Sequence, residues 1–489
     1  MTHLTQAAII GGGVIGGGWL ARLTENGVPV RIFDPDPEAP RKLAAVLEAA
    51  ERAAARLTAA PRPADARWEL VGSVAEAAEG ADLIVEAVPE RLEVKRAVYA
   101  EIETVNRTGV IASSTSGIMP SDLQAELEAP ERLIVAHPFN PVYLLPLVEL
   151  VAGKATDPTW IDWAKGFYAG LGMHPLHCRV EIEGFLSDRL QEALWREALW
   201  LLHDNVATAA EIDAAIAYGP GLRWAQMGTM QTFHLAGGEG GMRAMLAMFG
   251  PCLKWPWTKL MEVPELTQGF IDKVGDQCEV QADGLSPRDL ERVRDDNLVA
   301  ILQALKGNRW GAGQTIASFE AALYDRAGAP EAPDLAQPFE TAARVVPGDW
   351  CDYNGHMNES RYGQMFSDAA DGTMRLIGAD QAYIDRGLSY FTVEIHIRFL
   401  EEARVGDAMR VTTQVLEGAG KKMRLFHALW HSDGRLLATG EQMLIHVSLE
   451  TRAACVPEDA VADRLAEIAA RHADLPLPEG AGRGIGAPR

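Results

Sequence analysis

The stretch AAIIGGGVIG, residues 7–16, constrains the fold of this chain more than any other segment. A short apolar strand, Ala7 to Ile10, runs into Gly11-x-Gly13-x-x-Gly16, and a helical pattern follows from about Ile15 to Glu25. Asn26-Gly27 closes that helix with residues that tolerate positive φ, and a second strand, Val30 to Phe33, ends at Asp34. Strand, glycine turn, helix, strand and acid, in that order, describe a dinucleotide site. Gly11 permits the tight turn. Gly13 lets the backbone approach a pyrophosphate with no Cβ in the way, and Gly16 allows close packing of helix on strand. The turn Gly11, Gly13, Val14, Ile15 and Gly16 thus offers the positive end of a helix dipole to the pyrophosphate. Asp34 is placed to accept from both ribose hydroxyls and to repel a 2′-phosphate, which favours NAD over NADP. A plain glycine-rich turn is the alternative, and the flanking strands and acid weigh against it.

The alternation continues through a buried strand at Leu83–Val88, a helix at Glu90–Asn106 and a strand at Val110–Ala112. A further strand, Leu133–Ala136, delivers His137 at its carboxyl end, where open α/β sheets bind ligands. His137 opens HPFNPVYLLPLVEL, an apolar stretch with Glu149 near its end. A lone histidine there is more often a satisfied core residue than a catalyst; its companions decide.

Those companions are GGGVIGGG, VEAVPERLEVK, ASSTSGI, HPFNPVYLLPLVELV and GFLSDRL. With them the chain, from about Ala7 to Tyr324, resembles the 3-hydroxyacyl-CoA dehydrogenase family, including its branch that oxidises small hydroxy acids. The resemblance implies that His137 is the general acid–base, that Glu149 orients it, and that Ser116 bonds the substrate oxygen. It also places Glu90 and Lys95 at the nicotinamide ribose. The chemistry is sound in itself. Oxidising a secondary alcohol removes a hydride and a proton, imidazole takes the proton, and a buried carboxylate on the other ring nitrogen fixes the tautomer. Asn140 would brace the same network. One position departs from the family, which carries asparagine where GFLSDRL has Asp188. A carboxylate there disfavours an acyl-CoA and suits a cation; capping of the helix that starts hereabouts is the structural alternative. Downstream, Arg223 suits a substrate carboxylate, while Trp224 and Phe233 suit a quaternary ammonium; core packing or a dimer contact is the alternative for both rings.

Near LYDRAGAPEAPDLAQPF alanine, proline and acids dominate and no apolar period holds. Residues 326–338 therefore read as a linker. Beyond it come one helix, Ser360–Leu376, and alternating strands at Tyr390–Leu400, Ala408–Glu417, Met423–Ser432 and Leu436–Leu449, the last two joined at Ser432-Asp433-Gly434. An antiparallel sheet with one helix across it is an α+β layer arrangement. DWCDYNGHMNESRY, before that helix, resembles the hot-dog acyl-CoA thioesterase family over about Phe339 to Val456. The resemblance implies Asp352 as base or nucleophile, His356 and Asn358 as loop-shaping or water-positioning residues, and helix-start amides polarising the thioester. Turn and cap roles for Asp352, Asn354 and Asn358 are the alternative. Lys421, Lys422 and Arg424 form the local basic cluster, open to CoA phosphates or to solvent.

The expected architecture is therefore multidomain. An α/β Rossmann domain spans residues 1–184, an all-α dehydrogenase domain 185–325 and an α+β hot-dog domain 339–489. This pairing resembles the family of bifunctional carnitine dehydrogenases fused to betainyl-CoA thioesterases. The resemblance implies oxidation of carnitine to 3-dehydrocarnitine and hydrolysis of betainyl-CoA. The rival is a dehydrogenase for another 3-hydroxy acid or 3-hydroxyacyl-CoA fused to a general acyl-CoA thioesterase, and an inert nucleotide-binding protein is a further one. A formal charge of −23 argues against nucleic acid and anionic membranes as partners. Five scattered cysteines with no CxxC argue for a reducing compartment and against zinc. With no apolar run long enough to span a bilayer and no signal-peptide pattern, the expected location is cytoplasmic; the expected assembly is a homodimer.

Overall fold

The structure, a computed structural model, describes residues 4–484 except 59, 61–66, 226, 238, 240, 250–257, 259–264, 266, 283, 328–332, 348–349 and 353. The chain folds as two compact units that divide between Leu323 and Tyr324.

The first unit begins with β1 (Ala7–Ile10), α1 (Val14–Thr24), β2 (Val30–Phe33), α2 (Ala39–Leu57), β3 (Trp68–Leu70), α3 (Val74–Ala78) and β4 (Leu83–Glu86). It continues through α4 (Leu92–Val105), β5 (Val110–Ser113), α5 (Pro120–Gln124), β6 (Leu133–Pro138), β7 (Leu147–Ala152), α6 (Pro158–Gly170) and β8 (His174–Cys178). These strands form one sheet in the order β3-β2-β1-β4-β5-β6-β7-β8. β1 to β6 run parallel, β7 runs antiparallel to β6, and β8 is parallel to β7. The parallel strands read as unbroken apolar runs because helices cover both faces. Trp19, Leu20 and Leu23 of α1 pack with Phe167 and Tyr168 of α6 on one face. Val74, Tyr99, Ile102 and Leu123 of α3, α4 and α5 pack on the other. Each such side chain contributes on the order of 1.5–3 kcal/mol by leaving water.

The loop from β6 to β7 is pinned from two sides. Arg22 of α1 is buried and donates to the carbonyls of Val142, at 2.7 and 3.0 Å, and Leu145, at 3.3 Å. Burial lowers its pKa to about 10, with Glu25 opposing, so it stays charged at neutrality and its charge is answered by carbonyl dipoles. Tyr143 donates to Asp295 at 2.6 Å. Asp295 lies in α13, one of the helices that complete the unit: α7 (Ser187–His203), α8 (Ala209–Ala217), α9 (Pro220–Trp224), α10 (Thr229–Ala236), α11 (Gly241–Phe249), α12 (Gln268–Gln281), α13 (Pro287–Asn308) and α14 (Ala312–Ala327). Capping boxes at Thr208 and Ser286 start α8 and α13. α14 runs past residue 325, where the linker was placed. Its Ala-rich end favours helix.

The second unit is a five-stranded antiparallel sheet in the order β10-β13-β12-β11-β9. Its strands are β9 (Phe339–Val345), β10 (Leu388–Phe399), β11 (Ala408–Ala419), β12 (Lys422–His431) and β13 (Leu436–Ser448). α15 (Glu359–Leu376) buries Tyr362, Met365, Phe366, Ala369, Ala370 and Thr373. That spacing presents one face of a helix to the sheet. α16 (Gln381–Asp385) and α17 (Asp459–His472) complete the unit. This is the α+β layer arrangement of the hot-dog expectation. β9 was not among the strands read from the sequence; its burial pattern lacks clean alternation. Among the described residues no helix is long and apolar enough to cross a membrane, and no cluster of three or more His, Cys, Asp or Glu is arranged for a metal ion.

Candidate active site

The glycine turn has the shape its sequence requires. Gly11 adopts φ 103°, and a Cβ there would lie 2.5 Å from the Ala87 carbonyl oxygen. A Cβ on Gly16 would sit 1.7 Å from the Gly11 carbonyl oxygen. A Cβ on Gly13 would meet nothing within 4 Å, so the backbone there faces open space at the start of α1. That is the cradle a pyrophosphate needs, and the residues present fit NAD. Val14 is exposed beside it, while Ile15 packs against the sheet core. Asp34 follows β2, and its carboxylate accepts from the Gly12 amide at 2.6 Å and the Asp36 amide at 2.8 Å. These two bonds fix the acid beside the turn.

Sheet register makes the dyad. The β6–β7 hairpin sets His137 directly opposite Glu149. His137 Nδ1 lies 2.9 Å from Glu149 Oε2, and both side chains are buried. The other carboxylate oxygen accepts from the amides of Leu186, at 3.1 Å, and Ser187, at 2.9 Å, and from the Ser187 hydroxyl at 3.1 Å. Glu149 thereby caps the N-terminus of α7. Burial pushes its carboxyl up, but the hydrogen bonds from His137 and Ser187 outweigh this and hold it below the usual carboxylate value. An anionic Glu149 requires hydrogen on Nδ1 and leaves Nε2 as the base. Phe139 and Phe185 flank the imidazole, with ring centroids 4.9 and 5.8 Å away.

Asp188 stands on the other side of the ring, its Oδ2 4.0 Å from Nε2. It does not cap α7, because Glu149 already takes the first amides. Burial raises its carboxyl pKa, with His137 opposing and Glu149 adding to the rise.

Glu90 accepts from the Thr115 hydroxyl and from the amides of Ser116, at 3.1 Å, and Gly117, at 3.3 Å. Desolvation is opposed by the Thr115 bond and by Lys95, and the net effect lowers its carboxyl. Lys95 is 1% exposed and bridges Glu86 Oε1, at 2.7 Å, and Glu90 Oε2, at 3.2 Å. It therefore stands behind Glu90 rather than open to a ribose. Glu86 also accepts from Tyr99, at 2.6 Å, and Ser113, at 2.7 Å. Glu86 was missed in the sequence; the available signal was an acid closing the otherwise apolar strand LIVE. Ser116 is exposed, and its hydroxyl makes no hydrogen bond among the described residues.

Other expectations are not brought together. Asn140 is exposed beyond β6, with a cis peptide to Pro141, and does not bond the dyad among the described residues. It lies two residues beyond the end of β6, outside the register that pairs His137 with Glu149. Arg223, Trp224 and Phe233 lie exposed on α9 and α10, and no ring, ion-pair or hydrogen-bond contact ties them to His137 among the described residues.

In the second unit, Asp352 Oδ1 accepts from the amides of Asn354, at 2.8 Å, and His356, at 3.4 Å, which tightens the loop. Oδ2 carries no hydrogen bond among the described residues. His356 Nε2 lies 3.1 Å from Glu402. Asn358 is the N-cap of α15 and accepts from the Ser360 amide at 3.0 Å, which withdraws that amide from any thioester. The basic cluster is largely neutralised: Lys421 donates to the Ala454 carbonyl, Lys422 lies 3.9 Å from Glu417, and Arg424 pairs with Glu441.

Comparison with known proteins agrees with this division. Residues 6–181 match the NAD-binding domain of 3-hydroxyacyl-CoA dehydrogenase, 184–266 the C-terminal domain of the same enzyme, and 345–465 the thioesterase-like superfamily. The L-carnitine dehydrogenase/betainyl-CoA thioesterase of Ruegeria pomeroyi is 50% identical over 488 residues, covering 99% of this chain and all of the relative. That of Rhizobium meliloti is 48% identical over 496 residues, covering 100% of both. The L-carnitine dehydrogenase of a Pseudomonas species is 48% identical over 316 residues, which are 64% of this chain and 98% of the relative. The solved structure of 5-formyl-3-hydroxy-2-methylpyridine 4-carboxylic acid 5-dehydrogenase, an NAD-dependent dismutase, is 26% identical with a TM-score of 0.54, over 62% of this chain and 99% of that one. The chain belongs to the family of L-carnitine dehydrogenase/betainyl-CoA thioesterases.

Proposed function

We propose that the first unit oxidises L-carnitine to 3-dehydrocarnitine with NAD, and that the second hydrolyses betainyl-CoA to betaine and CoA. The observation that carries this reading is the near-50% identity to bifunctional relatives along the whole chain. NAD, when bound, accepts the hydride released from C3 of the alcohol. The glycine turn and Asp34 would hold the dinucleotide, and Glu90, steadied by Lys95, is the acid we assign to its nicotinamide end. His137 Nε2 removes the hydroxyl proton as the hydride departs. Glu149 keeps the other ring nitrogen protonated and balances the imidazolium that forms. Ser116 is the hydroxyl we assign to the substrate oxygen.

In the second unit we assign Asp352 as the carboxylate that activates water or attacks the thioester, with His356 shaping its loop. One oxygen is fixed by loop amides and the other remains available for chemistry. The same charged trimethylammonium head occurs in both substrates, which gives a reason for their fusion.

A homodimer fits the apolar side chains that α7 leaves in solvent: Leu190, Leu194 and Trp195 are 68%, 43% and 54% exposed. A cytoplasmic location fits Cys178, Cys351 and Cys455, which form no disulfide. The test is a steady-state comparison. The purified chain should form NADH with L-carnitine faster than with 3-hydroxybutyrate or 3-hydroxybutyryl-CoA, and should release thiol from betainyl-CoA. A preference for the acyl-CoA alcohol would overturn the carnitine reading in favour of the rival.

A further inference from the structure

We infer that Asp188 selects the cationic head of the alcohol by charge, beside the carbon being oxidised. The inference rests on the carnitine reading above and adds the group that recognises the cation.

Three observations lead to it. First, Glu149 occupies Nδ1, so substrate must approach His137 from Nε2, the side on which Asp188 Oδ2 lies 4.0 Å away. Second, Asp188 lies in the first turn of α7, where the helix dipole favours an acid, but it makes no capping bond. The first amides of α7 belong to Glu149, and Asp188 accepts no hydrogen bond among the described residues although its side chain is only 23% exposed. Third, the charges acting on it are mostly of its own sign: Glu149, Glu192 and Glu90 oppose it, with His137 the favourable one. A half-buried carboxylate among carboxylates is disfavoured until a ligand brings a positive charge.

A quaternary ammonium suits such a group. It has no N–H to donate, so it needs a nearby charge rather than a directed acceptor. The reacting hydroxyl must sit about 3 Å from Nε2. In carnitine the ammonium is two bonds from the hydroxyl-bearing carbon, so with that hydroxyl at Nε2 the cation can come within about 5 Å of Asp188. A neutral asparagine would leave the alcohol chemistry intact and remove the preference for the cation.

The experiment compares Asp188→Asn with the unaltered full-length chain on L-carnitine and on its neutral isostere, 3-hydroxy-5,5-dimethylhexanoate, which carries carbon in place of the ammonium nitrogen. The variant should raise KM for carnitine about 30-fold, the screened value of one charge pair at this distance, with most of the effect in KM rather than kcat. KM for the isostere should stay level or fall. Asp188→Glu should keep the carnitine preference. Equal losses on both alcohols, or an unchanged ratio of their kcat/KM, would overturn the inference. NADH binding and the thermal unfolding of the first unit in the same preparations report whether each variant is folded there. Failure of the unaltered chain to oxidise carnitine would refute the proposed activity instead, so the two failures are separable.

Discussion

Glu149→Gln tests the catalytic geometry most sharply, because it changes charge with almost no change in volume. One carboxylate oxygen faces two amides and a hydroxyl at the start of α7, all within 3.1 Å. The amides can only donate, so the glutamine carbonyl must take that side. Its NH2 then faces His137 Nδ1, which must become an acceptor, and the ring proton moves to Nε2. The base is lost through its tautomer while the helix cap is kept. An asparagine for aspartate exchange of this kind lowers kcat about 10⁴-fold in the serine-protease triad. The same tautomer error here is expected to cost at least about 10³-fold, or about 4 kcal/mol of barrier. Steady-state NADH formation with saturating carnitine measures it, and NADH binding with the thermal unfolding of the first unit in the same sample controls for folding. Retention of more than about a tenth of kcat/KM would refute the dyad. The pH dependence has a definite sign. The Glu149 carboxyl is held below its ordinary value of 4.5, so its contribution to stability is complete above that value and is lost as pH falls through the lower folded value.

Three further outcomes are expected. Asp34→Asn should raise KM for NAD about tenfold and narrow the gap to NADP, since the acid charge disfavours a 2′-phosphate; an unchanged KM would detach Asp34 from the ribose. Asp352→Asn should lower thioester hydrolysis at least about 10²-fold and leave NADH formation unaltered, and surviving hydrolysis would return Asp352 to a turn role. His427 is fully buried between Thr413, at 2.8 Å, and Gln442, at 2.9 Å, and burial lowers its pKa from 6.5 to about 4. Unfolded chain binds this proton first, so stability of the second unit should fall as pH drops from 6.5 to about 4, by about 3 kcal/mol in all. Urea midpoints at pH 7 and 4.5 should differ less for His427→Gln than for the unaltered chain; equal differences would remove the effect.

Much of the molecule was legible in order along the chain. Short-range rules sufficed for the glycine turn, because Gly11 and Gly16 answer to contacts only glycine tolerates and Asp34 ends the adjacent strand. Alternating apolar residues marked the long strands of the second unit, and β10 to β13 begin and end within two residues of the expected limits. Several residues fared differently because their partners are remote in sequence. Lys95 was placed at a ribose, yet Glu86 and Glu90 enclose its ammonium. Arg223, Trp224 and Phe233 carry suitable chemistry, but their helices leave them in solvent.

Sequence by itself determined which groups were available: a glycine turn for a dinucleotide, an imidazole and a carboxylate twelve residues apart, and a second unit of another fold class. Only tertiary structure decided what those groups do together. A spacing of twelve has no meaning until an antiparallel hairpin sets His137 across from Glu149. The α7 amides then claim the second oxygen of Glu149, which leaves Asp188 without a cap to make and facing Nε2. The physical reason is that propensity and periodicity act over a few residues, whereas charge, tautomer and access are fixed by whichever distant groups the sheet brings within about 3 Å.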